Sequence, residues 1–235
     1  MTVVLWALLG ILAAVPLNHL ADRLPRHRKP FVWPACPQCG HHYRPQQTLA
    51  LLAVITHDGT CRHCRAALPL GRWLFEIGLA ILYAFLAARF GLSARLLVAT
   101  IHASILALIT LTDIEQRVVP NTVVVPAVLF TLLVGGLNRP QALPAILLGG
   151  AIGFFLFLLL AVVYPGAMGF GDVKLAGYVG LIAAYPHVLT CLLTAMLAGG
   201  VAAGVYLLSG RGTRKSFIPY APFLALGGLL AVFML

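Results

Sequence analysis

Charge is what this sequence has least of. Only 9% of its 235 residues are charged, against roughly 25% in an ordinary soluble domain. Acidic side chains are scarcest: Asp22, Asp58, Glu76, Asp113, Glu115 and Asp172 are all there are. With 61% hydrophobic residues and a mean hydropathy of +0.97, the deficit excludes a large separate soluble domain and implies an all-α polytopic membrane protein. Also absent are a basic stretch ahead of the first apolar run and an A-x-A-like cleavage site, so the first twenty residues read as a retained span rather than a removed signal. No repeat of fixed period is visible. Aromatic residues are sparse among the basic ones, so the net charge of +10 does not imply a nucleic-acid partner. The basic residues fall between apolar runs, where membrane orientation accounts for them.

Apolar runs cover about 1–20, 73–90, 94–112, 118–137, 142–164, 173–186, 187–209 and 217–235. Eight transmembrane helices follow, most near the ~20 residues needed to cross the hydrocarbon. The sixth is short and contains Gly177 and Gly180; it is expected to be tilted, buried among its neighbours or partly re-entrant. Its boundary with the seventh is set only by Tyr185-Pro186-His187. Residues 21–72 form the one long polar loop, giving three parts: a first helix (1–20), the loop (21–72) and a membrane core (73–235). With that loop inside, Arg23, Arg26, Arg28, Lys29, Arg44, Arg62, Arg65, Arg72, Arg117, Lys174, Arg211, Arg214 and Lys215 share its side, and only Arg89, Arg95 and Arg139 face the other. The positive-inside rule then puts the loop in the cytoplasm and both termini outside.

The loop carries Cys36-Pro37-Gln38-Cys39 and Cys61-Arg62-His63-Cys64, separated by 21 residues. Two C-x-x-C knuckles in a reducing compartment suit one tetrahedral site of four thiolates, a structural zinc ion being the expected metal. Unmetallated redox pairs are the other reading, and His41, His42, His57 and His63 are possible substitute ligands. Metal would also supply the stability that so polar a loop lacks. Cys191 stands alone in the seventh span and reads as a small packing residue.

Asp113 closes the third span and Asp172 opens the sixth, and the charge count places both on the cytoplasmic side. Carboxylates at the edge of a hydrocarbon layer are rare and mostly functional. Two that share a site cannot both ionise easily, and share a proton as in aspartic proteases. Helix dipoles suggest that Asp172, at an N-terminus, is the anion and that Asp113, at a C-terminus, holds the proton. Gly169 and Gly171 would let a backbone or a substrate strand approach. The plainer reading is that both aspartates are interfacial caps, with Asp172 an N-cap. Glu76 and Glu115 either attract a basic peptide or are merely solvated. Lys174 either orients or pairs near the site, or snorkels to the headgroups. His102, roughly 16 Å before Asp113 along a helix, is too far to join the pair and reads as packed or hydrogen-bonded.

Taken together, these segments resemble the type IV prepilin peptidases. Leu17-Asn18 with Arg23-Leu24-Pro25 is similar to the family's L-N-x4-R-L-P, and the paired C-x-x-C loop to its zinc loop. Trp73-Leu74-Phe75-Glu76 resembles the segment that opens its second span. Asp113 with Pro120 and Gly169-Phe170-Gly171-Asp172-Val173-Lys174-Leu175 match the surroundings of its two catalytic aspartates. Tyr220-Ala221-Pro222-Phe223-Leu224-Ala225-Leu226-Gly227 is similar to its last-span motif.

The resemblance implies a bacterial inner-membrane enzyme acting on prepilins or pseudopilins. It would cut after a glycine at the cytoplasmic face, with Asp113 and Asp172 as the catalytic pair. It would then N-methylate the new N-terminus with S-adenosylmethionine, a step linked to the cysteine loop. Two departures bear on that second step. The N-I-P-x-x-S-like stretch between the cysteine pairs is replaced by residues 47–58, and the G-S-F before Leu17 by Ala14-Val15-Pro16. No residue is assigned to the methyl donor, and the oligomeric state is left open. The alternatives are a peptidase without methyl transfer, a proton-coupled transporter and a metal-stabilised scaffold. Carboxylates away from mid-membrane and the lack of repeat symmetry argue against transport.

Overall fold

The computed structural model describes residues 1–25, 35, 36, 38–43, 48–56, 60, 61, 63–66, 72–164, 168–209 and 219–235. His57, Asp58, Arg26, Arg28, Lys29, Arg44, Arg62, Arg211, Arg214 and Lys215, used in the readings above, lie outside them. Among the described residues the α-helices are α1 (Thr2–Arg23), α2 (Ala50–Ile55), α3 (Trp73–Phe90), α4 (Ala94–Gln116), α5 (Asn121–Asn138), α6 (Leu143–Val163), α7 (Phe170–Ala183), α8 (His187–Leu208) and α9 (Ala221–Phe233). Apart from the six-residue α2, these are the eight expected helices. Six of them are long and apolar enough to cross a membrane. The other two, α7 and α9, have 14 and 13 residues. At 1.5 Å per residue, α7 extends roughly 21 Å, short of a full hydrocarbon crossing.

The chain divides into two compact units, Met1–Thr100 and Ile101–Leu235, and the division falls within α4. In the first unit α1 packs on α3. Gly10 allows this, because a Cβ there would come within 2.8 Å of the Ala80 Cα. Trp6 Nε1–H donates to Thr100 Oγ1 at 3.0 Å. Where α1 ends and α3 begins, the Arg72 guanidinium donates to both carboxylate oxygens of Asp22, one bond being 2.7 Å. That ion pair ties together the two ends of the long loop.

In the second unit α7 is the central element. Eleven of its residues, Asp172, Val173 and Leu175 to Ala183, are buried. Of the three expectations for this short helix, burial among its neighbours is the one observed. The reason is a stripe of small residues. Side chains on Gly149, Gly150 or Gly153 of α6 would collide with Gly180, Leu181 or Ala176 of α7, so the two backbones nearly touch. A polar pair ties α7 to α4: His102 Nδ1 and the Tyr178 hydroxyl lie 2.8 Å apart, both buried. Phe130 of α5 meets the His102 ring edge-on. His102 is thus the packed, hydrogen-bonded residue expected, and Cys191 is fully buried as a packing residue.

Candidate active site and metal centre

α4 runs past the expected end at residue 112 as far as Gln116, which places Asp113 inside its last turn. α7 begins at Phe170, three residues before the expected 173. Gly169 is therefore its N-cap, and Asp172 sits in the first turn rather than at the cap. The Asp172 carboxylate reaches back to accept the Gly169 N–H at 3.2 Å, while the Asp172 N–H donates to the Gly169 carbonyl at 3.0 Å. Both aspartates are buried, Asp113 at 5% and Asp172 at 6% exposure. They are near enough for their charges to interact.

A third helix completes this arrangement. The Ala221 N–H, at the start of α9, donates to Asp113 Oδ2 at 3.1 Å. The first N–H groups of a helix have no partner within it, and they carry the positive end of the helix dipole. Asp113 therefore faces a helix N-terminus, as Asp172 does. The dipole asymmetry expected between them, N-terminus against C-terminus, is offset by α9. The preceding Tyr220 lies within the electrostatic reach of Asp172 and packs against Phe157 and Phe223. In the sequence Tyr220-Ala221 stands only as part of the motif similar to the family's last span, with no role toward Asp113. The available signal was Pro222, which has no N–H and so leaves the first-turn donation to Ala221.

The flanking residues behave differently from one another. A Cβ on Gly171 would lie 2.9 Å from the Val119 Cβ, so here the chain does need close approach. A Cβ on Gly169 would meet only Asp172 Oδ2, at 3.6 Å. Lys174 Nζ donates to Asn121 Oδ1 at 2.8 Å and lies 4.9 Å from the centre of the Phe170 ring, tying the first turn of α7 to the first turn of α5. Glu115 is exposed. Glu76 is neither solvated nor available to a peptide. It is fully buried in the first unit and bonded to the loop.

The four loop cysteines come together, with their sulfurs all within 4.8 Å of one another. Cys36 Sγ and Cys64 Sγ are 3.6 Å apart, and Cys39 Sγ and Cys61 Sγ 3.7 Å. Thiolates about 2.3 Å from a central ion in tetrahedral geometry stand about 3.8 Å apart, so the spacing fits a metal and is far too long for disulfides. The two knuckles repeat one backbone pattern. Cys36 N–H donates to the His41 carbonyl and Cys61 N–H to the Ala66 carbonyl, while Gly40 and Arg65, each following a second cysteine, have φ of 72° and 57°. Burial opposes ionisation of Cys36, but the N–H groups of Cys39 and Gln38 outweigh it and bring the thiol down to about 6. Cys61 is lowered by the N–H groups of Cys64 and His63. Cys39 accepts the His41 N–H, yet burial and the adjacent sulfurs push it up to about 12. Four crowded sulfurs cannot all lose their protons unless a cation compensates them. His41 and His63 stack on each other at 5.6 Å, and no histidine joins the sulfur cluster among the described residues.

Residues 8–90 match the bacterial peptidase A24 N-terminal domain and residues 100–204 match the type IV leader peptidase family. A prepilin leader peptidase/N-methyltransferase of Pseudomonas putida is 31% identical over 204 residues, covering 84% of this chain and 70% of the relative. The chain belongs to the type IV leader peptidase family. A second relative of the same name, from Bacillus subtilis (strain 168), is 27% identical over 217 residues, 92% of this chain and 84% of its own. One from Pseudomonas aeruginosa is 27% identical over 204 residues, with 84% and 70% covered. No solved structure matches. Asp113 and Asp172 both fall within the leader peptidase match, and all four cysteines within the N-terminal one.

Proposed function

We propose that this leader peptidase homologue is an intramembrane aspartic endopeptidase that removes the leader of type IV prepilins or pseudopilins. On this reading it cuts after a glycine at the cytoplasmic face of a bacterial inner membrane and N-methylates the new N-terminus. The observation that carries the first activity is the pair of buried carboxylates, each held by one backbone N–H at a helix start and each keeping lone pairs for water or substrate.

The proton accounting is that of a carboxylate dyad. One carboxylate takes a proton from water as its oxygen attacks the scissile carbonyl carbon. The protonated partner donates to the carbonyl oxygen. As the C–N bond breaks, the proton gained from water passes to the departing amine, the re-forming carbonyl returns its proton to the partner carboxylate, and the dyad is again singly protonated. The Gly169 and Ala221 N–H groups hold the carboxylates in place throughout, which is preorganisation rather than proton transfer. Burial excludes bulk water, while the location at the ends of α4 and α7 allows a substrate helix to approach from lipid.

The N-methyltransferase activity in the relatives' names and the match of residues 8–90 support methyl transfer. S-adenosylmethionine would supply the methyl group, and the unit around the cysteine loop is the part assigned to that step. Cys36, Cys39, Cys61 and Cys64 would hold a zinc ion with no open coordination position, which makes it structural.

Mass spectrometry of a co-expressed prepilin reads both activities. The intact chain is expected to yield the shortened, methylated product, and Asp113→Asn or Asp172→Asn to leave the precursor uncut. Full processing by either variant would overturn the peptidase assignment.

A further inference from the structure

Glu76 is 0% exposed, in a chain with only five other acidic residues. Its two carboxylate oxygens are both engaged. Oε1 accepts the Ala50 N–H at 2.8 Å and Oε2 the Leu51 N–H at 2.7 Å. These are the first two N–H groups of α2, the short helix between the cysteine pairs. Leu49, at its N-cap position, makes no side-chain cap bond. A helix of six residues is far too short to persist by itself, and leaving its half-buried first N–H groups without acceptors would oppose it further. Glu76 supplies the missing cap from a different element, 25 residues along the chain. The cost of burying a carboxylate is offset by two short charge-assisted bonds. Four residues earlier, at the N-cap of the same helix, Arg72 binds Asp22. The start of α3 therefore holds the loop at two points: its ends through Arg72 and its internal helix through Glu76.

We propose that Glu76 is a positioning residue for methyl transfer, which seats α2, and with it the cysteine lobe, on α3. The inference rests on the reading that the first unit serves that reaction. Glu76 belongs to the first unit and the aspartate pair to the second, so the two activities respond differently to its loss. It also gives the diverged stretch between the cysteine pairs a role. What residues 47–58 must provide is two N–H groups at a helix start, which many sequences can present.

The test uses the full chain in lipid nanodiscs with a prepilin substrate, comparing Glu76→Ala and Glu76→Gln with the unaltered protein. Three quantities are read: hydrogen exchange of the Ala50 and Leu51 amides, the cleavage rate, and the methylated fraction of the cleaved product. For Glu76→Ala the expected result is amide exchange accelerated about tenfold or more, a methylated fraction down about tenfold or more, and cleavage within about twofold. Glu76→Gln retains one carbonyl acceptor and should fall between. Unchanged amide protection in Glu76→Ala would overturn the latch. Lost protection with undiminished methylation would overturn its role in that reaction. Cleavage falling in parallel with methylation, in both variants, would mean a general loss of fold and would equally overturn the proposal. Absence of the methyl group from the product of the unaltered protein would instead remove the methyltransferase reading on which the inference stands, while the exchange measurement would still report on the latch.

Discussion

At the scale of single residues, the informative contrast is between groups that look alike in the sequence. Gly169 and Gly171 flank Phe170 symmetrically, yet only Gly171 is pressed against a neighbour, Val119. Gly171→Val should therefore separate α7 from the segment before α5 and abolish prepilin cleavage, whereas Gly169→Ala should keep the fold and a measurable cleavage rate. The Ala221 amide allows a sharper test. Proline is tolerated at the first position of a helix, where its missing N–H has no partner in the helix. Ala221→Pro should leave α9 intact by circular dichroism but remove the donor to Asp113. A hydrogen bond to a charged group is worth about 1.5–3 kcal/mol, so kcat for cleavage should drop about ten- to a hundredfold. An unchanged kcat would show that this bond does not hold the dyad. The aspartates themselves were legible in the sequence, because acidic residues are so few and both lie at the edge of an apolar run. Ala221 was not, because a backbone N–H has no residue identity to read.

At the scale of elements, α7 is the helix on which the site depends. It is too short to cross a membrane alone, and it is held by the glycine stripe it shares with α6 and by the His102–Tyr178 bond to α4. Those two helices, α4 and α7, carry the two aspartates. Tyr178→Phe keeps the ring but leaves His102 Nδ1 without that partner in an apolar interior. It should lower stability by about 1–3 kcal/mol, read as a lower unfolding temperature in detergent. Adding His102→Leu should recover part of the loss, because an apolar pair leaves no unmet hydrogen bond. Gly180→Leu should be worse than either, since the Gly149 backbone cannot move aside as a side chain can. The helix-forming runs were legible from hydropathy to within a few residues. Their ends were not: α1 and α4 continue a few residues past the apolar runs, and α7 starts before its own. Helix ends depend on capping partners as much as on composition.

At the scale of the whole molecule, the two compact units separate two kinds of chemistry. The cysteine cluster, the Arg72–Asp22 pair and Glu76 belong to the first, the aspartate pair to the second. Cys36→Ser, or a strong chelator, should release about one equivalent of metal by elemental analysis, loosen the loop to proteolysis and reduce methylation more than cleavage. Acidification should act in the same direction on the metal, because thiolates are the ligands and protons compete for them.

By itself the sequence indicated a helical, membrane-embedded chain, four cysteines spaced for one metal site, and two aspartates set at the edges of apolar runs. These properties follow from composition, from apolar run length and from spacing along the chain, all of which are local. Only the tertiary structure decided that α9 offers its first N–H to Asp113, that Glu76 caps a loop helix rather than meeting solvent, and that a 14-residue helix forms the centre of the second unit. Each of those depends on a hydrogen bond or a backbone contact between segments far apart in the chain, and such pairings leave no periodic trace in either partner.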